Sequence, residues 1–171
     1  MKSEFPIPKW TEKHGVIRFS VVSDGTTGEA WIARLESKGF YLGVEAKSIL
    51  RSKSFKTTSG ITYEVAILKG EIFSDNERVT KNIYEEAKNR KLSTPFPEVA
   101  CLIREKFSDK ELEAMGLFWI FTMHEPIEYF CVPKILVANR RDCGSRLITE
   151  TCFCPATEWA CDGGFAFVVS H

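Results

Sequence analysis

The chain has 171 residues, of which 44% are hydrophobic and 27% are charged, and its 23 basic and 23 acidic residues give a formal net charge of zero. These values are typical of one globular domain that buries enough apolar surface to fold without metal or disulfides. They exclude a protein that attracts nucleic acid or an anionic membrane through a large net positive charge, although a local basic patch remains in Lys47, Arg51, Lys53 and Lys56.

The N-terminus does not predict export. Residues 1–10 contain Pro6 and Pro8 and lack the apolar stretch of a signal peptide, and no part of the chain approaches the roughly 18 apolar residues of a membrane span. The cytoplasm is therefore the default location, where reducing conditions keep most cysteines as thiols.

The first third of the chain predicts a strand followed by two helices. β-branched residues dominate 16–22 and a turn sequence follows them, which predicts a strand. Thr26 and Glu29 have the spacing of a capping box and Gly39 supplies a stop, so we expect a helix between them. A short second helix is predicted at 44–51.

The middle of the chain predicts a strand and another helix. The residues at 61–68 alternate as expected of a strand that is half or fully buried. Ser74 and Glu77 form a second capping box, and apolar residues at every fourth position after them predict a helix. Those apolar residues are Val79, Ile83 and Ala87.

Two further helices and two strands complete the regular part of the chain. Pro97 is suited to the first turn of a helix, and Ser108 with Glu111 opens a short one. The apolar run at 117–123 has the length of a central strand, and 165–170 predicts the closing strand.

The order of these elements predicts an α+β fold built on one sheet. We expect the first and last strands to pair, because this brings the chain termini together as in many domains. By contrast, 138–163 sustains neither a period of 2 nor one of 3.6, which predicts a long irregular surface segment. Segments of this length are most often functional or disordered.

Five of the six cysteines lie in the last quarter of the chain, and Cys101 is separate from them. The five are Cys131, Cys143, Cys152, Cys154 and Cys161. The last four could bind one zinc ion, and structural disulfides are a second alternative. Only Cys152 and Cys154 approach the spacing of paired zinc ligands, so unpaired thiols are the favoured interpretation.

Motifs for catalysis are few. His124 and Glu125 follow the central strand and could serve a metal or a proton transfer, but such a pair is more often hydrogen-bonded at a strand end. The sequence has no nucleophile elbow, P-loop or dinucleotide-binding glycine pattern. We therefore expect no enzyme activity and no cofactor, and the arginine, tryptophan and phenylalanine residues of 138–163 favour binding.

Four stretches of the chain resemble a group of short microbial proteins with near-constant bodies. They are FSVVSDGTTGEAWIARLESKGF (19–40), TSGITYEVAILKG (58–70), EVACLIREKFSDKELEAMGLFWIFTMHEPI (98–127) and GFAFVVS (164–170). Members of that group differ mostly just before the closing strand. This pattern is similar to the variable proteins of diversity-generating retroelements, which have a C-type-lectin-like fold with paired N- and C-terminal strands, flanking helices and a loop-rich second half.

The resemblance implies a hypervariable, ligand-binding surface at about 139–163 within a single domain spanning 1–171. The residues between which the variable positions lie, which we call frame residues, would be Arg141, Asp142, Arg146, Pro155, Trp159 and Gly164. The diversified ligand-binding positions would be Asn139, Arg140, Cys143, Gly144, Thr149, Thr151, Cys152, Phe153, Cys154, Ala156, Thr157, Glu158, Ala160, Cys161 and Gly163. In diversification by a retroelement, substitution at adenines of the template turns Asn or Tyr codons into a mixture that includes Cys codons. Cysteines scattered through the segment are therefore expected.

Two positions depart from the family pattern. Leu147 stands where a Trp is expected, and Glu125-Pro126-Ile127 lacks the Asn that calcium-dependent sugar-binding lectins place after Glu-Pro, so calcium-dependent sugar binding is not expected. The resemblance implies a non-enzymatic binding protein whose partner is an unidentified protein or surface ligand. The charge balance, the lack of a long apolar run and the cysteine spacing predict no nucleic-acid binding, no membrane insertion and no metal. Two alternatives remain open: a cysteine oxidase resembling formylglycine-generating enzymes, which would use Cys154 and Cys161, and a zinc-stapled interaction module.

Overall fold

The computed structural model describes residues 8–141, 144–151 and 154–170, and within them the chain has a mixed α+β fold, as predicted. The strands are β1 (Thr11–Lys13), β2 (Val16–Asp24), β3 (Tyr41–Leu42), β4 (Ser59–Lys69), β5 (Leu92–Ser93), β6 (Trp119–Thr122), β7 (Ile127–Tyr129), β8 (Val132–Asn139), β9 (Arg146–Thr151) and β10 (Gly163–Val169). The helices are α1 (Gly28–Ser37), α2 (Val44–Arg51), α3 (Thr80–Asn89), α4 (Glu98–Lys106) and α5 (Asp109–Ala114), and a 3-10 turn occupies Gly70–Ile72.

These strands form one large open sheet. Its order is β1-β2-β4-β10-β6-β8-β9-β3, with β5 paired to the end of β10 and β7 to the start of β8. Neighbouring strands are antiparallel except in the pairs β10–β6 and β3–β9, which are parallel. The apolar run at 117–123 therefore supplies a central strand, β6, as its composition predicts.

The predicted pairing of the first and last strands is wrong, because β4 lies between β2 and β10. Val65 of β4 is opposite Phe19 of β2 on one side and Val168 of β10 on the other. Every residue of 65–68 is apolar and buried, which is the pattern of an interior strand with partners at both edges and cover on both faces.

The segment 138–163 is not irregular throughout, which corrects a second expectation. β9 pairs with β8 along its whole length, from Arg146 opposite Asn139 to Thr151 opposite Lys134. Its buried Leu147 faces the helices, whereas the next residue, Ile148, packs on the opposite side of the sheet. Most other β9 residues are polar and half-buried or exposed, so the apolar alternation of a strand is weak in the sequence.

Helices cover one face of the sheet, which we call the helical face. Side chains of α1, α2, α4 and α5 pack there on residues such as Ile120 of β6, in a core that includes Trp31, Ile49, Ile103 and Leu112. The opposite face, which we call the aromatic face, carries Phe121, Phe165 and Phe167, and it is covered in part by Ile83 and Ala87 of α3 and by Trp159. The C-terminal part of the chain thus lies over the aromatic face.

The start of α1 differs from its prediction by one residue. Thr27 caps the helix, since its hydroxyl accepts a hydrogen bond from the Ala30 N–H at 3.3 Å. Thr26 is instead bonded to Asp24 through both its N–H and its hydroxyl, and this Asp–Thr turn delays the helix. The capping box of Ser108 is confirmed at the start of α5.

Candidate functional site

Residues 154–162, which we call the anchored segment, are fixed to the start of α3 by main-chain hydrogen bonds. The N–H groups of Thr80 and Lys81 donate to the carbonyl oxygens of Thr157 and Pro155 at 3.1 and 3.0 Å, and the Trp159 N–H donates to the Arg78 carbonyl at 3.0 Å. The first N–H groups of a helix have no partner within the helix. The anchored segment therefore caps α3 with its own backbone.

This long-range cap explains why the predicted start of α3 is wrong. The side chains of Ser74 and Glu77 hydrogen-bond to each other at 2.8 Å in a turn that precedes the helix. α3 begins only at Thr80, where the distant carbonyls become available. The buried Arg78 guanidinium holds the preceding turn in place by donating to main-chain carbonyls of 70 and 73 at 2.9 and 3.0 Å.

Trp159 is the one side chain of the anchored segment that is deeply buried, with 7% of its surface exposed. Its indole N–H donates to the Thr80 hydroxyl at 2.9 Å. Its ring lies edge-on to those of Phe121 and Phe165, with centroids 4.7 and 5.9 Å away. A position held by this packing suits a frame residue, which is the role that the resemblance implies for Trp159.

The side chains around Trp159 are exposed or half-buried, in contrast to the tryptophan itself. They belong to positions at which the resemblance implies diversification. The exposed ones are Ala156, Glu158, Ala160 and Cys161, and the half-buried ones are Cys154 and Thr157. The polar contacts that fix the anchored segment thus come from its backbone and from one buried side chain, while its other side chains face solvent wholly or in part.

A groove of about 280 Å³ separates the anchored segment from the neighbouring strands, and we call it the aromatic groove. Its lining consists of Trp119, Phe121, Glu150, Thr157, Glu158, Trp159 and Ala160. Trp119 and Phe121 lie two positions apart on β6, so their rings share one face of the sheet and stack at 6.1 Å with an angle of 9° between planes. The groove therefore has an aromatic floor, with β9 on one side and the anchored segment on the other.

The rim of the aromatic groove carries two carboxylates, Glu150 from β9 and Glu158 from the anchored segment. Both side chains are exposed, and neither forms an ion pair with any described residue. The described basic residues of the C-terminal quarter are not among the lining residues of the groove. Lys134 pairs with Glu45 on the helical face at 3.1 Å.

The described arginines of this quarter do not line the aromatic groove either. The guanidinium of Arg140 lies 5.3 Å from the centroid of the Phe118 ring, and that of Arg146 lies 5.2 Å from the centroid of Tyr41. Although residues 131–171 carry equal numbers of basic and acidic side chains in the sequence, the charged residues in the described lining of the groove are both acidic. The aromatic groove is locally acidic.

Three predicted ligand-binding positions do not belong to the surface of the anchored segment. Asn139 is fully buried, and its amide has no described hydrogen-bond partner. Gly163 is buried too, and a Cβ there would lie 2.5 Å from Cε2 of Phe121, so a larger residue would displace that ring. Thr149 lies on the helical face, where its hydroxyl donates to Glu45 at 2.5 Å.

The remaining predicted positions are scattered. Arg140 donates to the Leu117 carbonyl at 2.9 Å at the start of β6, Gly144 is exposed between β8 and β9, and Thr151 is half-buried at the end of β9. None of these three lines the aromatic groove. Cys143, Cys152 and Phe153 lie outside the described residues.

Sequence reasoning missed Trp119 and Glu150 as lining residues. The run at 117–123 indicates a buried strand, and nothing local shows that Trp119 is only half-buried. Glu150 lines the groove because successive side chains of β9 point to opposite faces of the sheet. Ile148 and Glu150 lie on the aromatic face and Thr149 lies on the helical face. Only the pairing of β6 with β8 and of β8 with β9 brings these positions together.

A second depression, of about 600 Å³, lies on the other side of the anchored segment. Cys154 and Pro155 form one wall, Tyr84 of α3 forms another, and Glu125 and Pro126 complete it. A neighbouring cavity of about 400 Å³ shares Glu125 and Pro126. Cys154 thus faces a different space from Thr157, Glu158 and Ala160.

His124 is a structural residue and not an open ligand. It is fully buried, its Nε2 accepts a hydrogen bond from the Leu136 N–H at 2.9 Å, and its Nδ1 donates to the Glu125 carbonyl at 2.7 Å. Burial lowers the pKa of the imidazole to about 4, so the ring is neutral at pH 7. Both ring nitrogens are occupied, which leaves none for metal or proton transfer.

The cysteines within the described ranges are free thiols. They are Cys101, Cys131, Cys154 and Cys161. Burial raises the pKa of the Cys101 thiol well above its usual range, so it remains protonated. In the part of the chain that the structure describes, no three His, Cys, Asp or Glu side chains are grouped as metal ligands, and the proposed zinc ligands Cys143 and Cys152 fall outside that part.

Comparisons with protein-family models, with curated proteins and with solved structures found no match to this chain. Of the helices described, none has the length and apolar character needed to cross a membrane.

Proposed function

We propose that the chain is a non-enzymatic ligand-binding protein that displays the anchored segment as a changeable recognition surface, in the manner of the variable proteins of diversity-generating retroelements. One observation carries this proposal. The anchored segment is held by backbone hydrogen bonds and by Trp159, whereas the side chains around Trp159 are exposed or half-buried. Side chains that do not hold the fold together are the ones that can vary.

Stability arguments support this division of roles. Surface substitutions that break no cap, core contact or buried bond usually change stability by less than about 0.5 kcal/mol. Backbone hydrogen bonds such as those from Thr80 and Lys81 are independent of the side chains at 155 and 157. Many sequences at Ala156, Glu158 and Ala160 are therefore compatible with one scaffold, and a rigid scaffold reduces the entropy that is lost on binding.

We also propose a C-type-lectin-like relationship for the scaffold. A mixed sheet flanked by helices, with a C-terminal segment that leaves the sheet and returns to it through β10, supports this relationship. The position of β4 between β2 and β10 departs from the direct pairing of terminal strands that the family implies. The binding proposal does not depend on that pairing, because it rests on how the anchored segment is held.

The origin of the segment is tested by sequencing the DNA around the coding region. A near-copy of the coding sequence for 139–163 should lie beside a reverse transcriptase gene, with mismatches confined to adenines of the template. A locus without such a copy would remove the retroelement from the proposal.

The binding function is tested with a display library randomised at Ala156, Thr157, Glu158, Ala160 and Cys161. We expect most clones to fold and selection against an arbitrary soluble protein to yield specific binders. The matched control library randomises five buried positions of the same sheet face, namely Phe121, Ile135, Val137, Phe165 and Phe167, and should yield few folded clones. Equal loss of folding in the two libraries would contradict the proposal.

A further inference from the structure

We infer that the aromatic groove, with the residues that this chain carries, accepts an arginine side chain presented by a protein partner. The inference rests on the proposed function, since it names the chemistry that this version of the surface recognises. Three features of the groove lead to it: its two carboxylates without an ion pair, its aromatic floor and the lack of a basic residue among the described lining residues.

The two carboxylates belong to the acidic residues that form no ion pair with a described residue, and they border the same groove. Other surface carboxylates pair with cations of the chain itself, as Glu29 does with Arg51 at 2.8 Å and Glu105 with Arg34 at 2.5 Å, whereas some, such as Glu113, pair with no described residue. Glu150 and Glu158 have no such partner among the described residues, although both border one groove. An incoming cation would meet two negative charges without having to displace an internal one.

The floor of the groove suits a planar cation. Trp119 is half-buried and stacks on Phe121, so the ring that remains accessible belongs to the aromatic side chain that binds cations best. A guanidinium can lie flat on an indole ring while its N–H groups point outward in the ring plane, where carboxylates accept them. Trp119 below and Glu150 and Glu158 at the rim provide these two kinds of contact.

Other ligand classes fit less well. An anionic group would be repelled by Glu150 and Glu158, and a neutral ring such as a sugar would stack on Trp119 but gain nothing from the charge of the carboxylates. Lysine presents a compact, strongly hydrated ammonium that does not stack as a plane. Arginine is the side chain that uses every feature of the groove.

The groove combines a fixed half with a changeable half. Trp119 and Glu150 lie on strands outside the positions expected to vary, whereas Glu158 is one of those positions. The fixed half supplies a general preference for cations. The residue at 158 then adjusts the strength of that preference, so chains with other residues at 158 should bind arginine more weakly.

The experiment measures binding of N-acetyl-arginine methylamide by following the Trp119 indole signal in NMR spectra of the full chain. The citrulline analogue, which has the same shape without the charge, is the neutral control, and the lysine analogue tests the planar contact. We expect arginine to bind about tenfold more tightly than citrulline, and more tightly than lysine. Raising the salt concentration should weaken arginine binding and leave citrulline unchanged.

Charge-neutralising variants locate the site. Glu150→Gln and Glu158→Gln should each weaken arginine binding by about three- to fivefold. Glu113→Gln, on the exposed surface of α5, removes the same charge on the other face of the sheet and should change it less than about twofold.

Three results would overturn the inference: equal affinity for arginine and citrulline, no response of Trp119 up to the solubility limit of the probe, or an equal effect of Glu113→Gln. If the display library yields folded binders while the arginine probe fails, only the ligand class is wrong. If the library clones unfold, the proposed function fails whatever the probe does.

Discussion

Replacing Trp159 with alanine should detach the anchored segment and destabilise the protein strongly. The indole is 93% buried, since 7% of its surface is exposed, and it packs on Phe121 and Phe165. Removal of a buried aromatic side chain costs about 3–5 kcal/mol. The free energy of unfolding should fall by about this amount. Part of the loss comes from the Thr80 hydroxyl, which no longer has its indole partner.

Trp159→Phe separates the two contributions to this loss. It keeps an aromatic ring against Phe121 and Phe165 but removes the hydrogen bond to Thr80, so it should cost about 1–2 kcal/mol. Glu158→Ala and Ala160→Ser, on either side of the tryptophan, change exposed side chains and should stay within about 0.5 kcal/mol of the parent.

Thermal unfolding followed by circular dichroism measures these differences. For a chain of this size, each kcal/mol shifts the Tm by about 2–4 °C. We expect Trp159→Ala to lower the Tm by about 6–20 °C, Trp159→Phe by about 2–8 °C, and the neighbouring variants by no more than about 2 °C. The reasoning is refuted if Trp159→Ala has the same Tm as Glu158→Ala, because the anchored segment would then not be held by its tryptophan.

Three other predictions concern sites around the sheet. The pKa of buried His124 is about 4 when folded and about 6.5 when unfolded, so the unfolded state binds the proton more readily. The stability linked to His124 is fully present above about pH 6.5 and falls by about 3 kcal/mol towards pH 4; an imidazole that titrates near 6.5 by NMR would contradict this. Phe130 and Cys131, at the turn between β7 and β8, have φ of 47° and 62°, which bulky residues adopt at a cost, so the double change Phe130→Asn and Cys131→Gly should stabilise the protein by about 1–2 kcal/mol. A Tm that stays the same or falls would disprove the strain. Gly163→Ala places a Cβ 2.5 Å from the Phe121 ring and should cost about 1–3 kcal/mol in urea unfolding, whereas a neutral outcome would return this position to the set that can vary.

Elements whose boundaries are determined by neighbouring residues in the chain could be predicted from the sequence. The continuous apolar run of β6 indicates burial on both faces, and the capping box of Ser108 and Glu111 starts α5 where the spacing places it. The start of α1 is displaced by only one residue, because Thr26 and Thr27 compete for the cap and Asp24 binds the first of them. In each case the residues that decide the structure are close neighbours in the chain.

Features decided by distant residues could not be predicted. α3 starts at Thr80 because the carbonyls of Pro155 and Thr157 reach it from the far end of the chain, and no local pattern contains that information. β4 becomes an interior strand only through its pairing with both β2 and β10. A single sequence shows that 65–68 is apolar, but it does not show which strands lie on each side.

The candidate site shows the same division. The sequence and its family resemblance mark Trp159 as a frame residue and the positions beside it as variable, and the structure buries the first while leaving the others exposed or half-buried. Asn139 and Gly163, which the resemblance also marks as variable, are buried, because they pack against residues from other strands of the sheet. Trp119 and Glu150 join the groove only through strand register, which the weak pattern of β9 does not indicate.

A stability scan of every single substitution across 154–163 tests the central claim most directly. Folding is measured for each variant by protease resistance on the cell surface. The account predicts wide tolerance at Ala156, Glu158, Ala160 and Cys161, and sharp intolerance at Trp159 and Gly163. Uniform sensitivity, or uniform tolerance that includes Trp159, would contradict the claim that backbone hydrogen bonds and one buried indole hold a surface whose other side chains are free to change.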